Sequence, residues 1–576
     1  MTLSRRDFLL VLGSAAAAGL PISNRRALAS PHLDDLYDIP KFGNVHLLHM
    51  TDCHAQLNPV YFREPSMNLG VGSAAGKLPH IVGESLLKAV NVPTGSAMAH
   101  AFSCLNFEEA ARMFGRVGGF SHLKTLVDKL RSGRPGALLL DGGDTWQGSG
   151  TALWSQGQDM VDACLLLGVD VMTAHWEMTL GAQRVQHIVA NDFSGRIDFL
   201  AQNIKTFDFD EPVFESFSIK EMNGIPIAVI GQAFPYTPIA NPSHLIPDWS
   251  FGIREYELQQ LVNRIRKKGI KVVVLLSHNG MDVDLKLASR VTGIDAILGG
   301  HTHDGMPVPV IVTNKSGKTI VTNGGSNGKF LGVLDFAVTA SGIEDFRYRL
   351  LPVFSEFIAP DPDMEALIHR VRHPFEQQLM EPLATTEGLL YRRGNFNGSF
   401  DQLILDALMD ELDADIAFSP GFRWGTSLLP NSTINMEALL AQTATTYSFS
   451  TLTEMKGETI KIILEDVADN IFNPDPYYQQ GGDMVRVGGM NYTIDPHAAI
   501  GSRISEMRMG DAFIDPNKVY KVAGWAPVTE GATGELVWDL VARWLKDQKT
   551  VPVRTLGTPR IKGLDYNAGV TNRCDA

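Results

Sequence analysis

Histidine and aspartate side chains follow several short apolar runs in this 576-residue chain. Imidazole nitrogens and carboxylate oxygens are good ligands for divalent cations such as manganese, zinc and iron. Two neighbouring cations need a shared carboxylate, and we expect Asp144, which follows a glycine pair in LDGGD, to bridge them. The candidate ligands of this paired metal site are Asp52, His54, Asp144, His175, His278, His301 and His303.

Six apolar runs predict the strands that position these ligands. The runs are VHLLHMTD, GALLLDGGD, PIAVIGQA, KVVVLLSHNG, AILGGHTHDG and FLGVLDFAV, all within residues 44–355. They alternate with helical stretches, as in a layered α/β domain, and the ligands fall just beyond strand ends, where such domains place their sites. His46 and His49 lie inside the first run, so we interpret them as structural. Cys53 is interpreted as a packed neighbour of two ligands.

The chain is too long for one hydrophobic core, so more than one domain is expected. A stretch rich in Gly, Ala and Ser runs from about Val60 to Val117, and we interpret it as an insertion near the mouth of the site. Apolar residues at helical spacing over about 362–383 predict a linker helix within residues 356–383. We expect residues 384–576 to form a second α/β domain.

The first residues have the features of an export segment. Arg5 and Arg6 precede a short apolar run, and Ala27-Leu28-Ala29 offers a small-residue cleavage site. Residues 1–29 resemble a twin-arginine (Tat) signal peptide. The resemblance implies a periplasmic protein that is exported already folded and keeps no membrane anchor after cleavage.

Charge and cysteine content limit the classes of partner and of covalent bond. The formal net charge of −14 argues against nucleic acid as a partner. The four cysteines, Cys53, Cys104, Cys164 and Cys574, form no C-x-x-C pair, so neither haem attachment nor thiol–disulfide exchange is indicated. An oxidising compartment permits disulfides, but we predict none on which function depends.

The ligand motifs together resemble those of calcineurin-like metallophosphoesterases of the 5′-nucleotidase type. The resemblance implies an N-terminal four-layer α/β domain joined by a linker helix to a C-terminal 5′-nucleotidase-type α/β domain. The segment DADIAFSPGFRWG resembles the family's substrate segment, keeping Gly421 and Arg423 but lacking its Asn. The stretch MTAHWEMTLG, residues 172–181, aligns with the family's Gly-Asn-His-Glu-Phe-Asp-x-Gly. It carries His175 for the Asn, Trp176 for the His and Thr179 for the Asp.

Within that superfamily the chain resembles the SoxB-type thiosulfohydrolases of the bacterial sulfur-oxidation (Sox) system. The distinguishing features are His-Trp-Glu in place of Asn-His-Glu, the long insertion, GGDMVRVGG at 481–489, and the Tat-like segment. The resemblance implies a periplasmic enzyme with two manganese ions. It would release sulfate from a cysteine-bound thiosulfonate on the SoxYZ carrier, and we expect a monomer.

The loss of the family's histidine fits sulfonate chemistry. A phosphate ester expels an alkoxide, for which a proton donor is valuable, whereas a thiosulfonate expels a sulfur anion. A cysteine thiol already has a pKa of about 8.5, and a persulfide is more acidic. We expect a metal-bound water or hydroxide as the nucleophile. Arg423 is the first candidate for catalysis and substrate binding, and Arg486 the second for binding, because guanidinium groups pair with two oxygens at once.

Three other interpretations remain at this point. A degenerate phosphatase or a non-catalytic binding subunit has no need for seven retained ligands. A periplasmic 5′-nucleotidase or 2′,3′-cyclic-nucleotide phosphodiesterase needs aromatic residues against the base, and Tyr477, Tyr478 and Tyr492 are available. Manganese enters only through the resemblance, since the ligand types suit zinc or iron equally.

Overall fold

The computed structural model describes residues 34–574. The Tat-like segment predicted over residues 1–29 lies outside the described residues. The described residues from 41 onward form one compact unit, and residues 34–37 of the preceding segment form a single 3-10 turn. Between residues 34 and 574, no helix combines the length and the apolar character needed to cross a membrane.

The strands are between 2 and 11 residues long and are numbered here in chain order. They are β1 (Val45–Met50), β2 (Leu138–Asp141), β3 (Val171–Met172), β4 (Asp198–Phe199), β5 (Lys205–Thr206), β6 (Phe217–Met222), β7 (Ile225–Gln232), β8 (Trp249–Ser250), β9 (Val272–Ser277), β10 (Ala296–Gly299), β11 (Val310–Asn314), β12 (Gly317–Asn323), β13 (Phe330–Thr339), β14 (Gly342–Pro352), β15 (Pro382–Thr386), β16 (Ile416–Ser419), β17 (Thr433–Asn435), β18 (Ser450–Lys456), β19 (Arg486–Gly488), β20 (Asn491–Ile494), β21 (Ile504–Met509), β22 (Ala512–Phe513), β23 (Val519–Trp525), β24 (Thr550–Val551) and β25 (Arg560–Ile561).

The α-helices are numbered in the same way. They are α1 (Gly83–Ala89), α2 (Ala97–Phe102), α3 (Phe107–Phe114), α4 (Phe120–Gly133), α5 (Gly150–Ser155), α6 (Gln158–Leu167), α7 (Ala182–His187), α8 (Thr237–Ala240), α9 (Glu255–Lys267), α10 (Met281–Arg290), α11 (Pro362–Arg372), α12 (Glu376–Leu379), α13 (Ser399–Leu412), α14 (Met436–Thr443), α15 (Gly457–Phe472) and α16 (Val537–Gln548). A 3-10 helix over Trp176–Leu180 and a π-helical turn over Ile188–Asp192 complete the regular structure near the site.

The N-terminal part is built on two six-stranded sheets, ordered β14-β13-β1-β2-β3-β4 and β11-β12-β10-β9-β7-β6. The sheets pack face to face, because Leu47 and Leu140 of one lie in the same apolar core as Val229 and Val274 of the other. The outer face of the second sheet is covered by α9 and α10. Strands covered on both faces are apolar throughout. The predicted four-layer α/β arrangement is therefore confirmed.

All six predicted strands are present, as β1, β2, β7, β9, β10 and β13. The predicted linker helix is present but interrupted. It begins at α11, where the Asp361 side chain caps the helix by accepting from the Met364 amide and Pro362 occupies the first turn. Pro374 cannot continue an α-helix, so a 3-10 turn over His373–Phe375 separates α11 from α12, which ends at Leu379.

The C-terminal part has three smaller sheets, ordered β17-β15-β24, β18-β23-β16-β19 and β22-β21-β20-β25. Helices α13, α14 and α16 share one apolar core, which is called here the second-part core. Helix α15 packs into another core with β20 and β21. No described sheet contains strands from both sides of the linker.

The insertion folds as α1, α2 and α3, and an antiparallel bridge between Val60 and Val117 closes its base. Residues 564–574, the terminal strap, lie against it. Backbone hydrogen bonds run from Asn68 N–H to the Gly569 carbonyl and from Thr571 N–H to the Ser66 carbonyl.

The strap is also covalently attached, because Cys104 and Cys574 form a disulfide across a sequence separation of 470 residues. This bond was not foreseen from cysteine spacing. Cys53 and Cys164 are buried free thiols, which agrees with the interpretation of Cys53 as a packed neighbour.

Candidate metal centre

The candidate ligands lie beyond the carboxyl ends of five strands from the two stacked sheets. Asp52 and His54 follow β1, Asp144 follows β2, and His175 follows β3. His278, His301 and His303 follow β9 and β10 of the second sheet. Because β1, β2 and β3 run parallel, as do β9 and β10, these ends meet at one edge of the fold. The structure thus brings together all seven residues predicted as ligands.

The loops that carry these ligands have an unusual backbone. Five of the seven residues adopt positive φ, a region that costs non-glycine residues conformational energy and is concentrated at functional sites. They are Asp52 (53°), His54 (45°), Asp144 (58°), His301 (72°) and His303 (57°). Tight left-handed turns at the strand ends therefore direct the ligand side chains towards one point.

The ligands form two clusters that share Asp144. One contains Asp144, His175, His278 and His301, and the other contains Asp52, His54, Asp144 and His303. Within each cluster the ligand atoms all lie within 4.8 Å of one another. In the first, Asp144 Oδ2 is 3.1 Å from His175 Nδ1 and 3.0 Å from His278 Nε2. Asp144 therefore has the position of a bridging carboxylate between two cation sites.

The donor atoms of the second cluster fit a cation better than they fit one another. His54 Nε2 lies 3.1 Å from His303 Nε2, and His303 Nε2 lies 3.2 Å from Asp52 Oδ1. Two imidazole lone pairs directed at each other repel unless a proton or a cation lies between them. Two Asp and two His in one cluster, and one Asp and three His in the other, suit divalent transition metals. The residues present therefore fit two such ions.

Burial and the Asp52 and Asp144 carboxylates shift the pKa values of His54 and His278 in opposite directions. Burial lowers the pKa of His54 to about 4, so its ring is neutral and available as a ligand at neutral pH. Burial also disfavours charge on His278, but the Asp144 and Asp52 carboxylates outweigh it and raise the His278 pKa to about 10. In the metal-free protein, a proton on His278 thus compensates part of the carboxylate charge that two cations would otherwise neutralise.

Neighbouring groups hold the ligands in orientation, as is usual around metal sites. His278 Nδ1–H donates to the Gly142 carbonyl at 2.6 Å, and His54 Nδ1 lies 3.2 Å from the Gln147 carbonyl. The Glu177 carboxylate accepts the backbone N–H groups of Thr145 at 2.7 Å and His175 at 2.8 Å. Sequence reasoning missed Glu177, although a carboxylate directly after the His-Trp pair was visible.

The second part of the chain closes over this edge. His301 Nε2 lies 2.8 Å from the Gln480 carbonyl, and a Cβ on Gly481 would lie 2.5 Å from the same nitrogen. Gly481 also has a φ of +76°, so only glycine is compatible with this close backbone approach. The GGDMVRVGG segment singled out in the sequence therefore covers the first cluster.

The two predicted substrate-binding arginines have different surroundings. Arg423 Nη1 donates to the Thr302 carbonyl at 2.8 Å, between His301 and His303, while its Nε pairs with Asp483 at 3.1 Å. Arg423 thus contacts the loop over residues 300–304, which carries His301 and His303 and is called here the metal loop. Arg486 is fully buried, and its guanidinium donates to Asp401, Asp483 and three backbone carbonyls. These contacts are those of an internal structural ion pair, and we do not assign Arg486 to substrate.

A third arginine, which the sequence analysis did not select, is better oriented. Arg393 Nη2 donates to the Thr302 carbonyl at 3.0 Å, and its Nη1 lies 3.7 Å from Asp483 Oδ1 in a buried ion pair. Its Nε and Nη1 make no hydrogen bond among the described residues. It lines a cavity of about 40 Å³ together with His303 and Glu64. A buried guanidinium with free donors beside a ligand is the expected feature of an anion site. The sequence feature that could have indicated this site is the Arg392-Arg393 pair directly after the apolar residues Leu389, Leu390 and Tyr391.

The rewritten stretch after β3 presents no acid to the site. The Trp176 ring turns away into the second-part core. The Thr179 hydroxyl donates to the Trp176 carbonyl at 2.7 Å, so it serves the local backbone. The positions at which the family carries its His and Asp therefore have a structural role in this chain.

The tyrosines considered for base stacking do not form a pair. Tyr492 lies in the core around α15, and the Tyr477 hydroxyl donates to Glu255 at 2.6 Å. Tyr478 is 66% exposed. None of the three contacts a candidate ligand in the ring contacts of the described residues. His46, interpreted as structural, pairs with Asp335 at 2.8 Å.

The insertion reaches the back of the metal loop. Asn68 Nδ2 donates to Asp304 Oδ1 at 3.2 Å, next to His303, and the buried Glu64 pairs with Lys329 at 2.7 Å. It also reaches the second part, since the Leu69 amide donates to the Asn395 side chain at 2.7 Å. The insertion therefore lies beside the site.

Comparison with known proteins agrees with this geometry. Residues 383–542 match the family described as 5′-nucleotidase, C-terminal domain. Rat 5′-nucleotidase is 24% identical over 73% of this chain and 78% of its own length, and human 5′-nucleotidase is 24% identical over 68% and 72%.

Two solved structures, both from Thermus thermophilus, are also similar. The 5′-nucleotidase precursor has a TM-score of 0.70 at 20% identity, covering 90% of this chain and 99% of that one, and shows the common fold. The sulfate thiohydrolase SoxB has a TM-score of 0.86 at 36% identity. It covers 92% of this chain and 98% of that chain. With its ligand loops, its second domain and this extent of similarity, the chain belongs to the SoxB family within the 5′-nucleotidase superfamily of metallophosphoesterases.

Proposed function

We propose that this enzyme hydrolyses a cysteine-bound thiosulfonate on the SoxYZ carrier protein and releases sulfate in the periplasm. One observation carries the proposal. All seven ligand positions carry metal-ligating side chains. Trp176 and Thr179 stand where the family has its His and Asp, but the Trp176 ring packs into the second-part core and the Thr179 hydroxyl bonds the backbone. The SoxB similarity supports the same reaction.

The leaving group explains why the proton donor is dispensable. Water attacks the terminal sulfonate sulfur, the S–S bond breaks, and its electron pair leaves on the carrier persulfide. The products are a persulfide anion, sulfate and two protons. A thiol has a pKa of about 8.5 and a persulfide is more acidic, so the leaving group departs as an anion near neutral pH. An alkoxide would need the acid that this site has lost.

The described residues provide the other requirements of the reaction. Asp144 and the flanking histidines would hold two cations, which we propose to be manganese, although zinc or iron would also suit the ligands. Two such cations, when bound, polarise the sulfonate and lower the pKa of a water molecule. Arg393 lines a cavity with His303, has N–H groups without a hydrogen bond although Nη1 lies 3.7 Å from Asp483, and would bind sulfonate oxygens. Arg423 holds the Thr302 carbonyl in place.

The insertion contributes the path for a protein-borne substrate in this proposal. It lies between the metal loop and the second part, with Asn68 on Asp304 and the Leu69 amide on Asn395. A cavity of about 40 Å³ on each side of Asn68 marks the seam. We propose that the carrier's terminal arm enters along this seam, where a bulky nucleotide has little room.

A nucleotidase is the alternative, because several relatives of 22–25% identity are 5′-nucleotidases. The deciding experiment measures sulfate release from thiosulfonate-loaded SoxYZ beside phosphate release from AMP and from 2′,3′-cyclic AMP. We expect sulfate release only, with carrier whose cysteine is blocked as the control. Efficient phosphate release by the unmodified enzyme would overturn the proposal.

Restoring the family's histidine tests the role of the rewritten stretch. We expect Trp176→His to gain no efficient nucleotide hydrolysis, because Thr179 and the second part also differ, and to lower sulfate release. The double variant Trp176→His/Thr179→Asp is the matched comparison, measured with AMP and with loaded carrier. Nucleotide turnover by either variant at the rate of sulfate release would contradict the interpretation.

A further inference from the structure

The Trp176 side chain belongs to the packing of the other half of the molecule. It follows β3 in the N-terminal part, yet it lies in the second-part core and is 6% exposed. Its ring stacks parallel to Tyr447 with centroids 6.0 Å apart and meets Phe422 edge-on at 5.1 Å. A buried indole of the N-terminal part is thus inserted into the second-part core, where Leu153 and Trp154 of α5 pack only against its margin as partly buried side chains.

The backbone of the same residue holds the candidate bridging ligand. The Trp176 amide donates to Asp144 Oδ1 at 2.7 Å, leaving Oδ2 directed at His175 and His278. The hydrogen bond is short and fully buried, so its geometry depends on where the Trp176 backbone is fixed. That position is set by the ring, which has no freedom within the aromatic cluster.

Further contacts around Trp176 join the two parts at the same place. The Thr446 hydroxyl donates to the Thr179 carbonyl at 2.9 Å, and the Gln147 side chain donates to the Ala444 carbonyl at 2.7 Å. Gln147 is also the residue that orients His54. The α14–β18 connection of the second part therefore contacts the loop that carries Asp144 and the loop that carries His175.

We propose that Trp176 is a positioning residue through which the second part fixes the orientation of Asp144, so that the metal centre is complete only while the two parts are locked together. Separation of the parts would withdraw the indole from its aromatic cluster and release the Asp144 hydrogen bond. The substrate must then reach the ions while the parts remain closed. This inference rests on the metal centre of the proposed function, but not on the identity of the substrate.

The test compares two buried tryptophans of one core. Trp525 also lies in the second-part core and meets Phe422 edge-on at 5.5 Å, but its indole N–H donates to Ser419. We would measure manganese binding to metal-free Trp176→Ala and Trp525→Ala by competition with a chelating dye. We expect Trp176→Ala to weaken binding by about 10- to 100-fold, the range found when groups that orient metal ligands are removed. Trp525→Ala should bind as the unmodified protein does.

A conservative variant and a substrate-independent readout complete the design. Trp176→Phe should recover most of the affinity, since an aromatic ring of smaller area still fits the cluster. Hydrogen exchange should rise in residues 422–425 and 443–447 of Trp176→Ala and not in Trp176→Phe. Equal weakening by the two Ala variants, or unchanged affinity in a folded Trp176→Ala, would overturn the inference. If Trp176→Ala does not fold, the same comparison is made with Trp176→Leu and Trp525→Leu.

Discussion

Asp144 is the residue on which both cation sites depend. Its carboxylate belongs to both clusters, whereas His54 belongs to one. We expect Asp144→Asn to lower the occupancy of both sites, because a neutral amide is a poorer bridge between two cations. His54→Ala should lower the occupancy of one site. Elemental analysis after gel filtration measures both. Retention of two ions by Asp144→Asn would remove the bridging assignment.

A second buried carboxylate gives a prediction on pH. Burial raises the pKa of Asp141 to about 8, against a value of 3.8 in the unfolded chain. At pH values between these two pKa values, the Asp141 carboxyl has released its proton in the unfolded chain and retains it in the folded chain. Stability therefore falls as pH rises from about 4 to 8, by up to about 1.4 kcal/mol per pH unit for this group, and levels off above that range.

The Asp141→Asn variant checks this contribution. The amide keeps an oxygen that accepts from the Thr145 hydroxyl and the Gly143 N–H, and it does not titrate. Urea unfolding of metal-free protein at pH 5 and pH 7 should show a smaller loss of stability in the variant. Asp413→Asn is the control, because the Asp413 side chain is 94% exposed. It should leave the difference in stability between pH 5 and pH 7 unchanged. An identical pH slope in Asp141→Asn would contradict the prediction.

Residue types and their spacing were sufficient for the ligands but not for the anion site. Six of the seven ligands lie at the end of a predicted apolar run, so local sequence already indicates a strand end. The exception is His175, which follows β3, a two-residue strand outside those runs. Arg393, Arg423 and Arg486 are alike in sequence, and their difference arises from tertiary contacts with Thr302 and Asp483. Thr302 lies 91 positions from Arg393 and 121 from Arg423, so local sequence does not indicate which arginine contacts it.

At the scale of elements, the terminal strap determines where the insertion lies. It pairs with residues 66–68 of the insertion and is closed by the Cys104–Cys574 disulfide. We expect Cys574→Ser to lower the free energy of unfolding by about 2–4 kcal/mol, a typical effect of a disulfide. Cys164→Ala, which removes a buried free thiol, is the comparison for a loss of packing.

The same variant tests the proposed entrance. A loosened insertion should lower turnover of thiosulfonate-loaded SoxYZ while manganese affinity stays close to that of the unmodified enzyme, in which case the sequence-based prediction that function depends on no disulfide would be wrong. The strap bonds the backbone of Ser66 and Asn68 in the insertion, and it reaches the ligand loop only indirectly, through the Asn68 side chain on Asp304. Parallel loss of metal and turnover in Cys574→Ser would argue that the strap supports the metal centre rather than the entrance.

The elements also show where sequence patterns stop being informative. Apolar runs predicted the central strands of both stacked sheets, because strands covered on two faces must be apolar. The helical spacing of apolar residues predicts one continuous linker helix, but Pro374 lies within it and divides it into α11 and α12. The disulfide could not be predicted, since nothing local relates Cys104 to a partner 470 residues away.

For the whole molecule, bound metal should contribute to stability. The two carboxylates and five imidazoles converge on one buried edge, and cations that bind only the folded chain stabilise it by mass action. We expect chelation to lower the melting temperature, and added manganese to restore it in a concentration-dependent way. The melting temperature of Asp144→Asn should respond much less. An unchanged melting temperature after complete chelation of the unmodified protein would contradict a structural contribution from the ions.

The Cys104–Cys574 bond makes most of the polypeptide a closed covalent ring that passes through both α/β parts. A protease that cuts an exposed loop within this ring, such as the turn between α11 and α12, would open the ring without releasing a fragment. The nicked enzyme would migrate as one chain on a non-reducing gel and as two after reduction. Single cleavage events in an oxidising compartment would therefore leave the metal centre and its second domain attached to each other.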